Sequence, residues 1–199
     1  AMIKRLTPHF DDIEGHTLNL LLQTIAGTWT SDGPIELERL SAYALKAARE
    51  QKLWTSWTGG DPEREQEMVD WLAGIYANEE VMDEFAKWFS LTAAASRTSI
   101  LSRKAIQLTC LGVADVYQGS ETLQNSLVDP DNRRPVDFKQ LATQCSYLDR
   151  RQPVTLAEEK LHLTREILRL RKRRPDAFVG AKAAYRPLPS STGQVLCFA

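Results

Sequence analysis

The sequence predicts a mainly α-helical chain with one strand-and-loop segment that carries the functional chemistry and a short β-textured end. Three observations predict it. Apolar residues recur at helical spacing through most of residues 13–103 and again through 155–173. An apolar run, Ile106 to Val116, leads into Tyr117-Gln118-Gly119-Ser120-Glu121 and a loop dense in Asp, Asn, Arg and Pro at 129–135. After Pro175 the texture changes, and Ala184-Tyr185-Arg186 and Gln194 to Ala199 read as strands on either side of the turn residues Ser190-Ser191-Thr192-Gly193. Apolar strand then polar loop is how an α/β scaffold presents a site at the carboxyl end of a strand.

Taken in order, residues 1–12 carry no periodicity and read as loose. A helix is expected from Ile13 to Ala26, with Leu18, Leu21, Leu22 and Ile25 on one face, stopped by Gly27. Ser31-Asp32-Gly33-Pro34 reads as a turn and helix start, because proline tolerates the first helical position. The helix it opens runs to Gln51 with Leu37, Leu40 and Ala44 inward and Lys46 one turn from Glu50. Thr55 to Gly60 is a loop. Asp61 caps a third helix whose stripe is Met68, Trp71, Leu72, Ile75 and Tyr76. Asn78 caps a fourth, with Val81, Met82, Phe85, Trp88 and Phe89 inward, and helix continues or restarts over 93–103. Gly112 and the β-branched Val113 and Val116 favour strand for the second half of 106–116. Asp137 to Cys145 reads as a short helix. Thr155-Leu156-Ala157-Glu158 is a capping box opening a helix to Arg173.

Composition bounds the function. With 199 residues the chain holds one large domain or a domain and a half. A net charge of −1 gives no general attraction to nucleic acid or anionic lipid. No apolar run approaches the roughly 20 residues of a membrane helix, and Ala1 to Arg5 does not open a signal peptide. The three cysteines, Cys110, Cys145 and Cys197, are odd in number and widely spaced, which fits reduced core thiols in the cytoplasm. His9, His16 and His162 form no metal-ligand pattern, and there is no Gly-rich phosphate loop, nucleophile elbow or Cys-x-x-Cys. No metal and no cofactor are expected.

Two stretches could hold chemistry. Asp115, Tyr117, Gln118 and Glu121 could line a sugar site, since hydroxyls take carboxylates and amides as partners and pyranose rings stack on aromatic faces. They could equally be a buried strand whose polar groups satisfy loop backbone. The Asp129 to Pro135 loop could contact carbohydrate or phosphate, or be a turn in which Arg133 and Arg134 pair with Asp129, Asp131 or Asp137. The basic cluster from Arg169 to Arg174 reads as a cationic last turn that complements a helix dipole, not as a nucleic-acid reader.

Gly112-Val113-Ala114-Asp115-Val116-Tyr117-Gln118-Gly119-Ser120-Glu121, followed by Leu127-Val128-Asp129-Pro130-Asp131-Asn132-Arg133-Arg134-Pro135-Val136-Asp137-Phe138, resembles the maltooligosyltrehalose synthases, a trehalose-forming branch of the α-amylase-type (β/α)8-barrel superfamily. Arg39, Tyr43, Lys46-Ala47, Arg49-Glu50, Lys52 and Thr55-Ser56-Trp57 resemble the family's helix and loop between the seventh and eighth barrel strands. Leu161, Leu168 to Arg171, Pro175 and Phe178 resemble the helix leading to its carboxyl-terminal β domain. Ala114 stands where the family usually has proline.

The resemblance implies a truncated chain that is mainly α. Residues 1–105 would be a helical region between the seventh and eighth strands. Residues 106–175 would hold the last strand, the site loop and the following helices, and 176–199 the start of a β domain. It implies a carboxyl-terminal fragment of an isomerase, a (1→4)-α-D-glucan 1-α-D-glucosylmutase, that turns the reducing-end α-1,4 linkage of a maltooligosaccharide into an α,α-1,1 linkage by intramolecular transglycosylation. Such chemistry needs a nucleophilic carboxylate and an acid/base carboxylate. The family's motifs for these are not found in residues 1–199, so no catalytic residue is assigned and the fragment alone is expected to be inactive. Lys46, Trp57, Tyr117, Gln118, Glu121, Asp129, Asn132 and Arg133 are the residues expected to face the glucan. No nucleic acid or membrane partner is implied. A lone barrel strand must be buried against the chain's own helices or a second copy, which would make a homodimer. The competing reading is a free-standing helical interaction module.

Overall fold

The structure is a computed structural model that describes residues 15–129 and 131–199. The loose segment expected at 1–12, His9, the expected helix start at Ile13 and the loop residue Pro130 lie outside the described residues. The chain divides into two compact units, one made of described residues up to Ala93 together with Asn125–Arg134, the other of Ala94–Gln124 and Pro135–Ala199.

The first unit is helical. α1 (Gly15–Thr28), α2 (Leu37–Gln51), α3 (Pro62–Ala77) and the first half of α4 (Glu79–Thr109) enclose one core. Leu21, Leu22 and Ile25 of α1 meet Leu40 and Ala44 of α2, Met68, Leu72 and Ile75 of α3, and Val81 and Phe85 of α4. These are the apolar stripes read from the sequence, and burying each large side chain stabilises by about 1.5–3 kcal/mol. Trp29 stacks on Phe85 with centroids 5.7 Å apart. The caps follow their chemistry. Asp61 accepts from the Arg64 N–H at 3.1 Å, and Asn78 Oδ1 accepts from the Val81 N–H at 3.2 Å.

One start differs. The turn at Thr30–Gly33 forms, with the Thr30 N–H on the Gly33 carbonyl at 2.9 Å and Gly33 at φ 104°. Yet α2 begins at Leu37 rather than at Pro34. Ile35 is turned into the core, and the Tyr76 hydroxyl donates to its carbonyl at 2.9 Å, so that carbonyl is spent before a helix could use it.

The second unit holds the rest of α4, α5 (Phe138–Tyr147), α6 (Leu156–Arg173) and a two-stranded antiparallel ribbon, β1 (Pro187–Leu188) with β2 (Cys197–Phe198). Leu108, Leu148, Leu161, Thr164 and Phe178 are buried in it, together with Lys104. α4 runs unbroken for 31 residues, so the helix expected at 93–103 is a continuation. The capping box at Thr155 and Glu158 forms in both directions.

The strand expected in the second half of 106–116 does not form. Residues up to Thr109 are helix, and 113–117 run outside helix and strand. A strand needs a neighbour to complete its ladder. Here side chains take the carbonyls instead. Gln107 Nε2 donates to Asp115 O at 2.6 Å, and Arg171 donates to the carbonyls of Leu108 (2.8 Å), Cys110 (3.0 Å) and Gly112. Arg171 thus closes the carboxyl end of α4, while its guanidinium lies over Phe178 at 4.4 Å. That refines the reading of the basic cluster: its arginines also bond residues beyond their own helix end. The cysteines are free as expected, but Cys110 is exposed rather than in a core. No helix among the described residues is long and apolar enough to cross a membrane.

Candidate functional site

In the first unit the loop 125–134 is tied to α2 by one residue pair. Arg39 Nε and Nη2 donate to the two carboxylate oxygens of Asp131 at 2.9 and 3.0 Å. Asp131 also accepts from the Leu127 N–H at 2.7 Å, and Arg39 Nη2 reaches the Asn125 carbonyl at 3.2 Å. The Asn125 side chain in turn donates to the last turn of α1 at the Thr28 carbonyl, 3.2 Å away. The Arg39 guanidinium holds the Asp131 carboxyl below its ordinary range. A bidentate arginine fixes a carboxylate in plane as well as in place.

On that anchored base sit three of the expected site residues. Asp129 and Arg133 pair with each other at 2.6–2.7 Å, and Arg134 reaches back to Asp131 at 3.2 Å. The turn therefore satisfies its own charges, one of the two alternatives the sequence left open. Asn132 is different: its Oδ1 is shielded from solvent and has no hydrogen-bond partner. Lys46, on α2, lies 3.6 Å from Glu50 as its spacing suggested.

Trp57 is 60% exposed, and a cluster beneath it fixes where it stands. Arg49 on α2 grips Glu65 on α3 with two bonds of 2.9 and 2.5 Å. Thr55 donates to Glu65 at 2.6 Å and accepts from the Asp61 N–H at 3.2 Å. The Arg49 guanidinium lies over the Trp57 ring at 5.1 Å. Arg49, and then Thr55, hold the Glu65 carboxyl down at about 2. An exposed aromatic on a rigid, charged base is a suitable platform for a sugar face.

In the second unit Tyr117 to Ser120 form a tight turn, with the Ser120 N–H on the Tyr117 carbonyl at 2.9 Å. Gly119 occupies its third position at φ 83°, where L side chains are strained. The turn leaves Tyr117 and Gln118 exposed and half-buries Glu121. Glu121 Oε2 is shielded and unpartnered, and the Glu121 carbonyl accepts from Thr164 on α6 at 3.4 Å. Lys160, also on α6, donates to the Thr122 carbonyl at 2.8 Å. In the first unit Asp129, Asn132 and Arg133 share one loop while Lys46 lies on α2 and Trp57 in the loop after it, and in the second unit Tyr117, Gln118 and Glu121 share one short stretch.

No protein-family model matches the chain. A Mycobacterium tuberculosis protein provisionally named maltooligosyl trehalose synthase is 34% identical over 188 residues, covering 92% of this chain and 22% of its own length. The solved maltooligosyltrehalose synthase of Arthrobacter ramosus superposes with a TM-score of 0.83 at 35% identity, over 99% of this chain and 26% of that one. A second solved maltooligosyl trehalose synthase gives 0.85 at 26% identity, over all of this chain and 28% of the other.

This chain is similar to one segment of the maltooligosyltrehalose synthases.

It spans about a fifth of the curated relatives it matches. The likeness to the synthases covers the helical units and the 112–138 stretch alike, so that motif is not an isolated borrowing.

Sequence reasoning missed the residues that position the others. Arg39 and Asp131 are far apart in sequence, and neither was singled out as an anchor. Thr55 reads as a loop residue, Arg49 enters only through the resemblance, and Glu65 is not singled out. The one available signal was the density of arginines and carboxylates around the apolar stripes. Lys104 gave none, since a lysine inside a helical run reads as a solvated face.

Proposed function

We propose that this chain supplies part of the glucan-binding wall of an enzyme that isomerises the reducing-end α-1,4 linkage of a maltooligosaccharide to α,α-1,1. The observation that carries the reading is the likeness to solved maltooligosyltrehalose synthases over 99% of the chain. In that enzyme residues 1–105 are the helical region between the seventh and eighth barrel strands, 106–175 hold the last strand with its site loop, and 176–199 begin the carboxyl-terminal β domain. The segment 113–117 takes its strand form only with barrel neighbours to pair with. The intact enzyme is an intramolecular glucosylmutase working in the cytoplasm.

The residues of this chain bind and orient; they do not cleave. A retaining mechanism needs one carboxyl that forms the glycosyl intermediate and another that protonates the leaving oxygen. Asp131 and Glu65 are held ionised by Arg39 and Arg49, which unfits them as proton donors. Asp129 is bonded to Arg133. Trp57 stacks a glucose ring. Lys46, Tyr117, Gln118, Glu121, Asn132, and the Asp129–Arg133 pair hold hydroxyls. Enclosing the glucan also keeps water from the intermediate, which would otherwise be hydrolysed.

The test is kinetic. In the full-length protein Trp57→Ala is expected to raise KM for maltooligosaccharides by about tenfold, one stacked ring being worth of order 1 kcal/mol or more. Unchanged KM for both Trp57→Ala and Glu121→Gln would remove the reading.

A further inference from the structure

Two tryptophans stand three residues apart in the loop between α2 and α3, each with an arginine over its ring, and their surroundings differ. Trp54 packs against the core of the first unit, with the Arg64 guanidinium 5.4 Å from its ring centroid. It anchors the loop. Trp57 has the Arg49 guanidinium at 5.1 Å and is still 60% exposed. An indole in solvent has rotamer freedom, and a ligand that stacks on it must remove that freedom at a cost to binding.

At Trp57 that freedom is curtailed beforehand. Arg49 Nε and Nη2 are both bonded to Glu65, at 2.9 and 2.5 Å, which fixes the guanidinium in plane as well as in place. Glu65 is 7% exposed and takes a third bond, at 2.6 Å, from Thr55, two residues before Trp57. The Thr55 hydroxyl accepts from the Asp61 N–H at 3.2 Å, and Ser56 Oγ accepts from the Gly59 N–H at 2.8 Å, so the backbone is held on both sides of Trp57. One carboxylate thus holds both the cation over the ring and the loop that carries the ring. It also neutralises the arginine, and a platform without net charge favours a neutral ring over an anionic one.

We propose that Arg49 is a positioning residue for glucan binding: it covers one face of the Trp57 indole, holds the ring in one orientation, and leaves the opposite face for a single neutral pyranose ring. The cation–π contact sets the indole against a plane that Glu65 has already fixed. With one face taken, a sugar stacks on Trp57 from one side only. The inference rests on the reading of Trp57 as a glucan contact, and adds a residue that acts through it.

The experiment is a double-mutant cycle on Arg49 and Trp57 in the full-length protein, with KM and kcat for maltooligosaccharides and melting temperature as readouts. Arg49→Lys keeps a charge opposite Glu65 but loses the planar fork and its stacking. It is expected to raise KM about threefold while kcat holds, the effect of having to order one more side chain on binding. In the Trp57→Ala background the same change is expected to leave KM where Trp57→Ala alone puts it, because no ring remains to be held. A merely structural role for Arg49 would act by the same factor in both backgrounds. Equal factors overturn the proposal, and so does a parental KM in Arg49→Lys; in either case a KM raised by Trp57→Ala leaves the glucan-wall reading standing. Unchanged KM in Trp57→Ala overturns the proposal too, and joined by unchanged KM in Glu121→Gln it removes that reading as well. Where Arg49→Lys does not fold, Glu65→Gln takes its place in the cycle. It loosens the grip on Arg49 and keeps an oxygen for Thr55, so the rise in KM is expected only while Trp57 is present, and a rise of equal factor without Trp57, or none with it, overturns the proposal.

Discussion

Replacing Asp131 with asparagine tests what holds the site loop in place. The Asp131 carboxylate accepts two bonds from Arg39 and one from the Leu127 N–H, and its side chain is 12% exposed. An amide of the same shape offers one acceptor atom and turns an N–H2 toward a donor. Breaking a buried ion pair from one side costs about 3–5 kcal/mol when the survivor is stranded. Arg39 is not stranded, since Glu36 (2.8 Å) and the Asn125 carbonyl (3.2 Å) remain. The expected loss is therefore about 2–3 kcal/mol, near the worth of one or two charged hydrogen bonds. The matched control is Asp129→Asn. Its partner Arg133 is 71% exposed, and such pairs contribute about 0–1 kcal/mol. The assay is urea unfolding followed by tryptophan fluorescence. All five tryptophans, Trp29, Trp54, Trp57, Trp71 and Trp88, belong to the unit that contains the loop, so the signal reports that unit alone. Equal losses in the two variants, or an Asp131→Asn chain within about 0.5 kcal/mol of the parent, would refute the anchoring argument.

Three further outcomes follow from the geometry. Glu65 has its carboxyl at about 2 in the folded chain against an ordinary 4.5, so the unfolded chain binds more protons between these values. Its stabilisation is full above about pH 4.5 and fades as pH falls toward 2. Glu65→Gln is expected to flatten that part of an acid titration read by tryptophan fluorescence, and an unchanged slope would contradict it. Gly119→Ala forces a Cβ onto a residue at φ 83°, costing about 1–2 kcal/mol. The new Cβ would also meet the Gln124 side chain at 2.8 Å, but Gln124→Ala is expected not to rescue it, because the backbone strain remains. Circular dichroism melting checks this, and full rescue would assign the cost to the side-chain clash. Leu72→Ala empties a fully buried position and is expected to cost about 2–5 kcal/mol by the same fluorescence assay; a loss under 1 kcal/mol would mean the core collapses around it.

The helices were legible because each writes its burial as a stripe. Met68, Leu72 and Ile75 are the buried apolar positions of α3, and Asp61 is its cap, as the spacing of those residues requires. The capping box at Thr155 is likewise a local code. What the sequence does not display is the outcome of competition between distant groups. Gly112, Val113 and Val116 have strand character, yet strand is a property of a pair, and the chain offers that segment side-chain donors instead. The start of α2 was misplaced because Tyr76, on α3, takes the carbonyl of Ile35. At the site, the residue types were readable but not their division of labour. Arg133 and Asp129 neutralise each other, whereas Asn132 and Glu121 keep an unspent oxygen, and only coordinates separate these cases.

The central claim is that this chain is a sugar-binding wall of a maltooligosaccharide isomerase rather than a free-standing helical module. The most direct measurement follows loss of reducing ends from a maltooligosaccharide, without release of free glucose, for this chain, for the full-length protein and for its Trp57→Ala variant. The account predicts no conversion by the chain alone, conversion by the full-length protein, and a KM raised about tenfold in the variant. Conversion by the chain alone would place the catalytic carboxylates within residues 1–199 and contradict the account, as would a full-length protein that leaves maltooligosaccharides untouched.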